Sequence, residues 1–171
     1  MCMHWFLLDA GAFIHSMEWS FKKNATYVMP SLVFAELKEH TVRLRAENAL
    51  AQGRLVIEDP LPGEIAAVHA CADLQGVGRL SEADVALVAL AFQWQEEKRL
   101  FTVMTDDYSI QNLLKAKGIG FQGIAVKPIE RVKAFSLVCT GCGKPYKTGF
   151  KGSSCVDCGA PLKARSTSKK T

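Results

Sequence analysis

The sequence predicts an α/β domain on a parallel sheet, followed by a small metal-binding module. Three observations carry this. Short apolar runs alternate with helical patterns as far as residue 126. Four cysteines close the chain in two C-x-x-C pairs. The charge divides between an acidic body and a basic arm. At 171 residues, 49% hydrophobic and 22% charged, the chain has room for one full domain and an appendage. That composition excludes a wholly disordered chain.

Trp5-Phe6-Leu7-Leu8, ending at Asp9, reads as a buried strand, and residues 10–17 as a short helix. Residues 25–29 read as a short extended link. Pro30 and Ser31 open a long helical pattern through Leu32, Leu37, Val42 and Leu50, which Gly53 ends. Leu55-Val56-Ile57 reads as a strand before the breakers Pro60, Pro62 and Gly63. Residues 64–74 predict a helix, and Ser81 starts another that runs to about Lys98. Residues 100–104 predict a second buried strand and 108–117 a helix stopped by Gly118. Ile124-Ala125-Val126 reads as a last strand. The expected organisation is an α/β unit over 1–126, a linker over 127–137, a ribbon over 138–162 and a basic, disordered tail over 163–171.

Residues 1–130 carry 12 Lys/Arg against 16 Asp/Glu, and residues 131–171 carry 9 Lys/Arg against the single acid Asp157. A basic arm on an acidic body fits a polyanion such as nucleic acid, the alternative being a solubilising tail. No apolar run reaches the roughly 18 residues that span a bilayer, and the N-terminus has no basic region ahead of its apolar stretch. The expected compartment is the cytoplasm, where paired cysteines more often hold metal than form disulfides.

Cys139-Thr-Gly-Cys142-Gly and Cys155-Val-Asp-Cys158-Gly are separated by 12 residues. Each C-x-x-C-G knuckle aims two thiolates at one point, and two knuckles complete a tetrahedral S₄ site suited to zinc. All four positions are filled by protein, so the expected site is structural, and metal binding would supply the folding energy of a segment poor in apolar residues. Iron is the minor alternative. Between the knuckles, Lys144, Tyr146, Lys147 and Lys151 interleave charge with aromatic surface and are candidate RNA contacts, while Tyr146 and Phe150 could instead pack the ribbon's core. Cys71 reads as a core thiol and Cys2 as incidental.

Asp9 ends a strand, Glu36 lies early in the helix opened by Pro30, Asp84 opens the helix after Ser81, and Asp106 and Asp107 follow a strand. In a parallel sheet, strand ends and the helix starts after them share one edge, so acids remote in sequence can converge there. Such a cluster suits Mg²⁺ or Mn²⁺, and an ion held there can activate water for in-line attack on a phosphodiester. Each acid alone has a blander role: Asp9, Asp106 and Asp107 as helix caps, Asp84 in a capping box with Ser81, and Glu36 on a solvated face.

Leu7-Leu8-Asp9-Ala-Gly-Ala-Phe-Ile14, Pro30-Ser-Leu-Val-Phe-Ala-Glu36-Leu, Leu80-Ser-Glu-Ala-Asp84 and Val103-Met-Thr105-Asp-Asp107-Tyr resemble the ordered motifs of PIN-domain ribonucleases. The resemblance implies a PIN-like fold and carries over Asp9, Glu36, Asp84 and Asp107 as metal ligands, with Asp106 and Glu82 as second-tier candidates. Thr105-Asp-Asp-Tyr-Ser-Ile-Gln-Asn112 with a C-terminal Cys₄ ribbon resembles the archaeal form of the Nob (Nin-one-binding) family. That resemblance implies an Mg- or Mn-dependent endoribonuclease that trims the 3′ end of precursor small-subunit rRNA. The implied partners are the pre-ribosomal small subunit and a KH-domain assembly factor. One departure stands out. Gly11 replaces the Ser, Thr or Asn usual two residues after the first aspartate, and Thr105 is a candidate to compensate.

Two other functions stay open: a VapC-type toxin with the same chemistry, and a non-catalytic RNA-binding assembly factor. His15, His40 and His69 have no role in this chemistry and read as helix residues. Trp5 and Trp94 read as core residues and Trp19 as core or surface. Gln111 and Asn112 either contact substrate or brace the loop bearing Asp107.

Overall fold

The computed structural model describes residues 4–14, 24–75, 77, 80–124, 133–146, 150 and 152–168. Its first unit runs β1 (His4–Leu8), α1 (Ala10–Ile14), β2 (Ala25–Met29), α2 (Ser31–Ala35), α3 (His40–Ala51), β3 (Leu55–Ile57), α4 (Pro62–Gln75), α5 (Glu82–Glu96), β4 (Phe101–Met104), α6 (Tyr108–Ala116) and β5 (Phe121–Gln122). A second unit holds β6 (Lys133–Cys139), β7 (Pro145–Tyr146) and β8 (Leu162–Ser168).

The first sheet is parallel throughout, in the order β3-β2-β1-β4-β5. Central β1 is apolar because helices cover the sheet; Leu7 and Leu8 are fully buried. α5 is buried from Val85 to Phe92 and supplies much of the core. Trp94 is buried too. Its indole N–H donates to Glu58 Oε1 at 2.8 Å, and its ring meets Trp5 and Phe101 edge-on.

Several elements depart from the sequence reading. The stretch after Pro30 is two helices, not one, broken at residues 36–39. Leu37 and Val42 are both buried. On one continuous helix they would project about 140° apart, so the break resets the phase and lets both reach the core. The link over 25–29 is strand β2 beside β1. The last strand of the sheet is Phe121–Gln122; Ile124 lies in a bend, and residues 125–126 fall outside the described residues.

The second unit departs most. β8 occupies Leu162–Ser168, where disorder was expected, and pairs antiparallel with β6 from Cys139↔Leu162 to Lys133↔Ser168. β6 in turn begins inside the stretch read as linker. The ladder satisfies backbone donors and acceptors whatever the side chains are, so a segment poor in large apolar residues is ordered by its partner strand. Among the singled-out side chains, Cys71 is buried in α4, where burial pushes its thiol up, and His40 and His69 are exposed. Cys2, His15 and Trp19 lie outside the described residues.

Candidate active site and metal centre

The strand order turns between β1 and β4: from β1 the chain winds outward to β2 and β3, then returns to β4 on the other side. Such a switch point leaves a crevice at the carboxyl ends of the strands. Asp9 follows β1, Thr105-Asp106-Asp107 follows β4, and the register Leu8↔Met104 sets Asp9 level with Thr105. The Asp9 backbone N–H donates to the Met104 carbonyl at 3.1 Å, which extends the ladder into the site.

Thr105 joins these segments. Its side chain is fully buried; the hydroxyl donates to Asp9 Oδ2 at 2.7 Å and accepts the Asp107 backbone N–H at 3.1 Å. Thr105 thus contacts Asp9 from the neighbouring strand, a contact for which Gly11 has no side chain. Burial pushes the Asp9 carboxyl up. The Thr105 bond opposes that rise, while the charges of Asp84 and Asp107 add to it. The structure thus brings Asp84 and Asp107 close enough for their charges to act on Asp9, and a bound cation relieves such a field.

Asp84 and Asp107 also hold the bland roles open to them. Asp84 Oδ2 accepts the Ser81 N–H at 3.1 Å while the Ser81 hydroxyl accepts the Asp84 N–H at 3.1 Å, a capping box at the start of α5. Asp107 caps α6: its Oδ1 accepts the N–H groups of Ser109 at 2.6 Å and Ile110 at 3.1 Å. Each cap uses one carboxylate oxygen and leaves the other outside it.

Asp106 turns elsewhere: its Oδ1 accepts the Ile124 N–H at 2.7 Å and pins the chain beyond β5. Glu36 is exposed at the end of α2, a helix that packs on α5. Glu82 is exposed at the first position of α5. Gln111 is fully buried and donates from Nε2 to the Thr105 carbonyl at 2.9 Å, which makes it a brace of the acid-bearing turn. Asn112 is buried beside it in sequence.

In the second unit, one ligand atom from each of Cys139, Cys142, Cys155 and Cys158 lies within 4.8 Å of all the others. The Sγ atoms of Cys139 and Cys158 are 3.3 Å apart, and those of Cys142 and Cys155 are 3.6 Å apart. Tetrahedral zinc with ~2.3 Å bonds sets sulfurs about 3.8 Å apart, so the donor set matches zinc in ligand type and number and, for these two pairs, in spacing to about half an ångström. The two knuckles repeat one geometry. Cys139 and Cys155 donate their N–H groups to Lys144 and Ala160, and accept at their carbonyls from Gly143 and Gly159. Those glycines take φ of +74° and +72°, a conformation that Cβ-bearing residues rarely adopt. Gly141 is required for space: a Cβ there would lie 2.9 Å from that of Ala160.

Tyr146, read as a candidate RNA contact or a residue of the ribbon's core, meets the cysteines and Phe150. Its hydroxyl donates to Cys155 Sγ at 3.0 Å and accepts the Val156 N–H at 2.9 Å, and its ring packs on Phe150 at 4.5 Å. The Tyr146 bond is the main reason that the Cys155 thiol is drawn down to about 6. Cys142 is pushed up to about 12: the Lys144 backbone favours its thiolate, but the sulfurs of Cys139 and Cys155 oppose it. Lys144 is ion-paired with Asp157 at 2.6 Å across the two knuckles. Lys147 and Lys151 lie outside the described residues.

Comparison with known proteins fits this arrangement. Residues 6–94 match the family described as the PIN domain of ribonuclease. The chain is 34% identical to Endoribonuclease Nob1 of Methanothermobacter thermautotrophicus over 91% of its own length and 90% of the relative's. With Endoribonuclease Nob1 of Pyrococcus abyssi it shares 31% identity over 92% and 91%. The chain belongs to the Nob1 family of PIN-domain endoribonucleases. A further relative, Ribonuclease VapC1 of Thermoplasma acidophilum, is 31% identical over 144 residues, which are 84% of this chain and 70% of that protein. Within this chain, sequence reasoning missed the tie from Tyr146 to Cys155, for which no spacing rule gives a signal. It anticipated Thr105 only through the absence at Gly11.

Proposed function

We propose that this protein is a divalent-metal-dependent endoribonuclease that cuts precursor small-subunit rRNA to form its mature 3′ end. The observation that carries the reading is the Asp9–Thr105–Asp107 arrangement at the switch point of a Nob1-family sheet, within the field of Asp84. Asp9, Glu36, Asp84 and Asp107 hold Mg²⁺ or Mn²⁺. When bound, such an ion supplies Lewis acidity toward the phosphodiester and its attacking water. Thr105 keeps Asp9 oriented, the caps hold Asp84 and Asp107, and Gln111 steadies the turn.

The four cysteines hold zinc as a structural ion. The basic arm, with Lys144, Lys147 and Lys151, meets RNA phosphates. The protein works in the cytoplasm on the pre-ribosomal small subunit, alongside a KH-domain factor. The test is cleavage of RNA spanning the 3′ end of small-subunit rRNA and its downstream spacer, in Mn²⁺, with Asp9→Asn alongside. One cut at the mature end, absent in the variant, supports the reading. Binding without a cut favours an assembly factor. The VapC1 similarity supports a second reading, a toxin ribonuclease, which cutting of other RNAs in preference to this one would favour.

A further inference from the structure

The four ribbon sulfurs are not equivalent. Cys142 and Cys158 are exposed, whereas Cys139 and Cys155 are buried. Each exposed sulfur meets a buried one from the other knuckle. Cys158 Sγ is 3.3 Å from Cys139 Sγ, and Cys142 Sγ is 3.6 Å from Cys155 Sγ. Disulfide sulfurs lie about 2.0 Å apart, so closing either contact takes a shift of roughly 1.3–1.6 Å. An accessible thiolate beside a second, resolving thiolate is the arrangement that oxidises reversibly. Outside the ribbon, the described residues hold one thiol, Cys71, and it is buried in α4.

Other bonds keep the knuckles opposed. Thr140 donates to the Pro161 carbonyl from its N–H at 3.1 Å and from its hydroxyl at 2.8 Å. Leu162 pairs with Cys139 and donates its N–H to the Ser153 carbonyl at 3.0 Å. The Lys144–Asp157 ion pair is a further tie. A Cβ at Gly141 would lie 3.4 Å from Cys158 Sγ and 3.8 Å from Cys139 Sγ, so glycine leaves the approach between those sulfurs clear. These ties hold the facing sulfurs adjacent while bonds to metal are exchanged for bonds between sulfurs.

We propose that a hydroperoxide converts this centre to two disulfides that cross between the knuckles, Cys139–Cys158 and Cys142–Cys155, and so expels its metal. This rests on the reading of the four cysteines as a zinc site and is independent of the nuclease reading. The exposed thiolate attacks the peroxide: an S–O bond forms, the O–O bond breaks and hydroxide leaves. The buried thiolate then attacks that sulfur: the S–S bond forms, the S–O bond breaks and a second hydroxide leaves. Each disulfide thus gives up two electrons and reduces one peroxide to two hydroxides. With all four thiolates consumed, nothing is left to bind the metal.

The test treats the zinc-loaded full chain with hydrogen peroxide. Released zinc is followed with a chromogenic chelator, and non-reduced tryptic peptides are mapped by mass spectrometry. Cleavage after Lys147 and Lys151 puts the knuckles on separate peptides, so cross-knuckle disulfides join the two and fragmentation assigns the pairs. The expected result is zinc release with about two peroxides consumed per ion. Links are expected at Cys139–Cys158 and Cys142–Cys155, with Cys71 unlinked, and zinc binding should return after a thiol reductant and Zn²⁺ are added. Disulfides closed within each knuckle, the opposite cross-pairing, or sulfinic acids without disulfides overturn the proposal, as does retention of zinc in excess peroxide. If the purified chain holds no zinc, the zinc reading fails, and the disulfide map still decides whether the knuckles cross-link.

Discussion

Thr105 donates its hydroxyl proton to Asp9 Oδ2 at 2.7 Å from the strand next to that of Asp9, and the same oxygen accepts the Asp107 N–H. One side chain therefore sets the spacing of two acids that lie 98 residues apart in sequence. Thr105→Val should lower cleavage by roughly 10–100-fold, the usual cost of removing a partner that orients a metal-binding carboxylate. Thr105→Ser should retain most of it. Steady-state rates at fixed Mn²⁺ check both.

The Asp9 carboxyl is raised, chiefly by burial. A raised carboxyl favours the fold in its protonated form: the contribution is complete below the ordinary value of 3.8 and is lost as pH rises through the shifted value. At pH 7 the ionised group therefore destabilises the protein when no divalent ion is added. Asp9→Asn should raise the melting temperature there, and the gain should vanish as pH falls toward about 4. It should abolish cleavage throughout. Thermal melts across pH, alongside cleavage, test this exchange of stability for activity.

Asparagine caps helices about as well as aspartate. Asp107→Asn should therefore fold like the wild type and fail to cleave, while Asp107→Ala should fail to cleave and also lose about 1 kcal/mol of stability. Asp106→Asn, which keeps an acceptor for Ile124 N–H, should still cleave. Denaturant melts and cleavage rates on the three variants separate the cap from the ligand.

How much of this was legible from the residues depends on the kind of signal each carries. The parallel sheet follows from apolar runs such as Trp5–Leu8 alternating with helical patterns, because burial writes itself directly into composition. The break at residues 36–39 was hidden. Leu37 and Val42 each look like helix-face residues, and only the three-dimensional core shows that one helix cannot serve both. β8 was hidden for another reason: its order comes from backbone pairing with β6, which side chains barely encode. Lys163 and Arg165 do alternate with Leu162 and Ala164, a period-2 pattern masked by the overall basic charge. For the site, the acids could be identified by motif. Their capping bonds and the buried brace of Gln111 depend on tertiary placement.

Cys139→Ser with Cys142→Ser should remove one zinc per chain and unfold the β6–β8 sheet, leaving the five-stranded sheet intact. Metal analysis and limited proteolysis report the two effects. Tyr146→Phe keeps the contact with Phe150 and deletes the hydroxyl that meets Cys155, so it should release zinc to a competing chelator roughly 10–100-fold more readily.

Truncation after Pro128 should weaken RNA binding and flatten its dependence on salt, since each lost phosphate contact lowers the slope by about one. Lys144→Ala alone should change the slope less than a full contact, because Asp157 already neutralises that ammonium.

The seven-pair ladder between β6 and β8 has a mechanical consequence. The cysteines sit where Cys139 meets Leu162, and the opposite end is Lys133 beside Ser168. At ~3.4 Å per residue, the arm between those ends is about 20 Å long. A tilt of about 10° of an arm this long displaces its cysteine-bearing tip by about 3–4 Å. Backbone pairing thus fixes how far the cysteine cluster stands from the other end of the ladder.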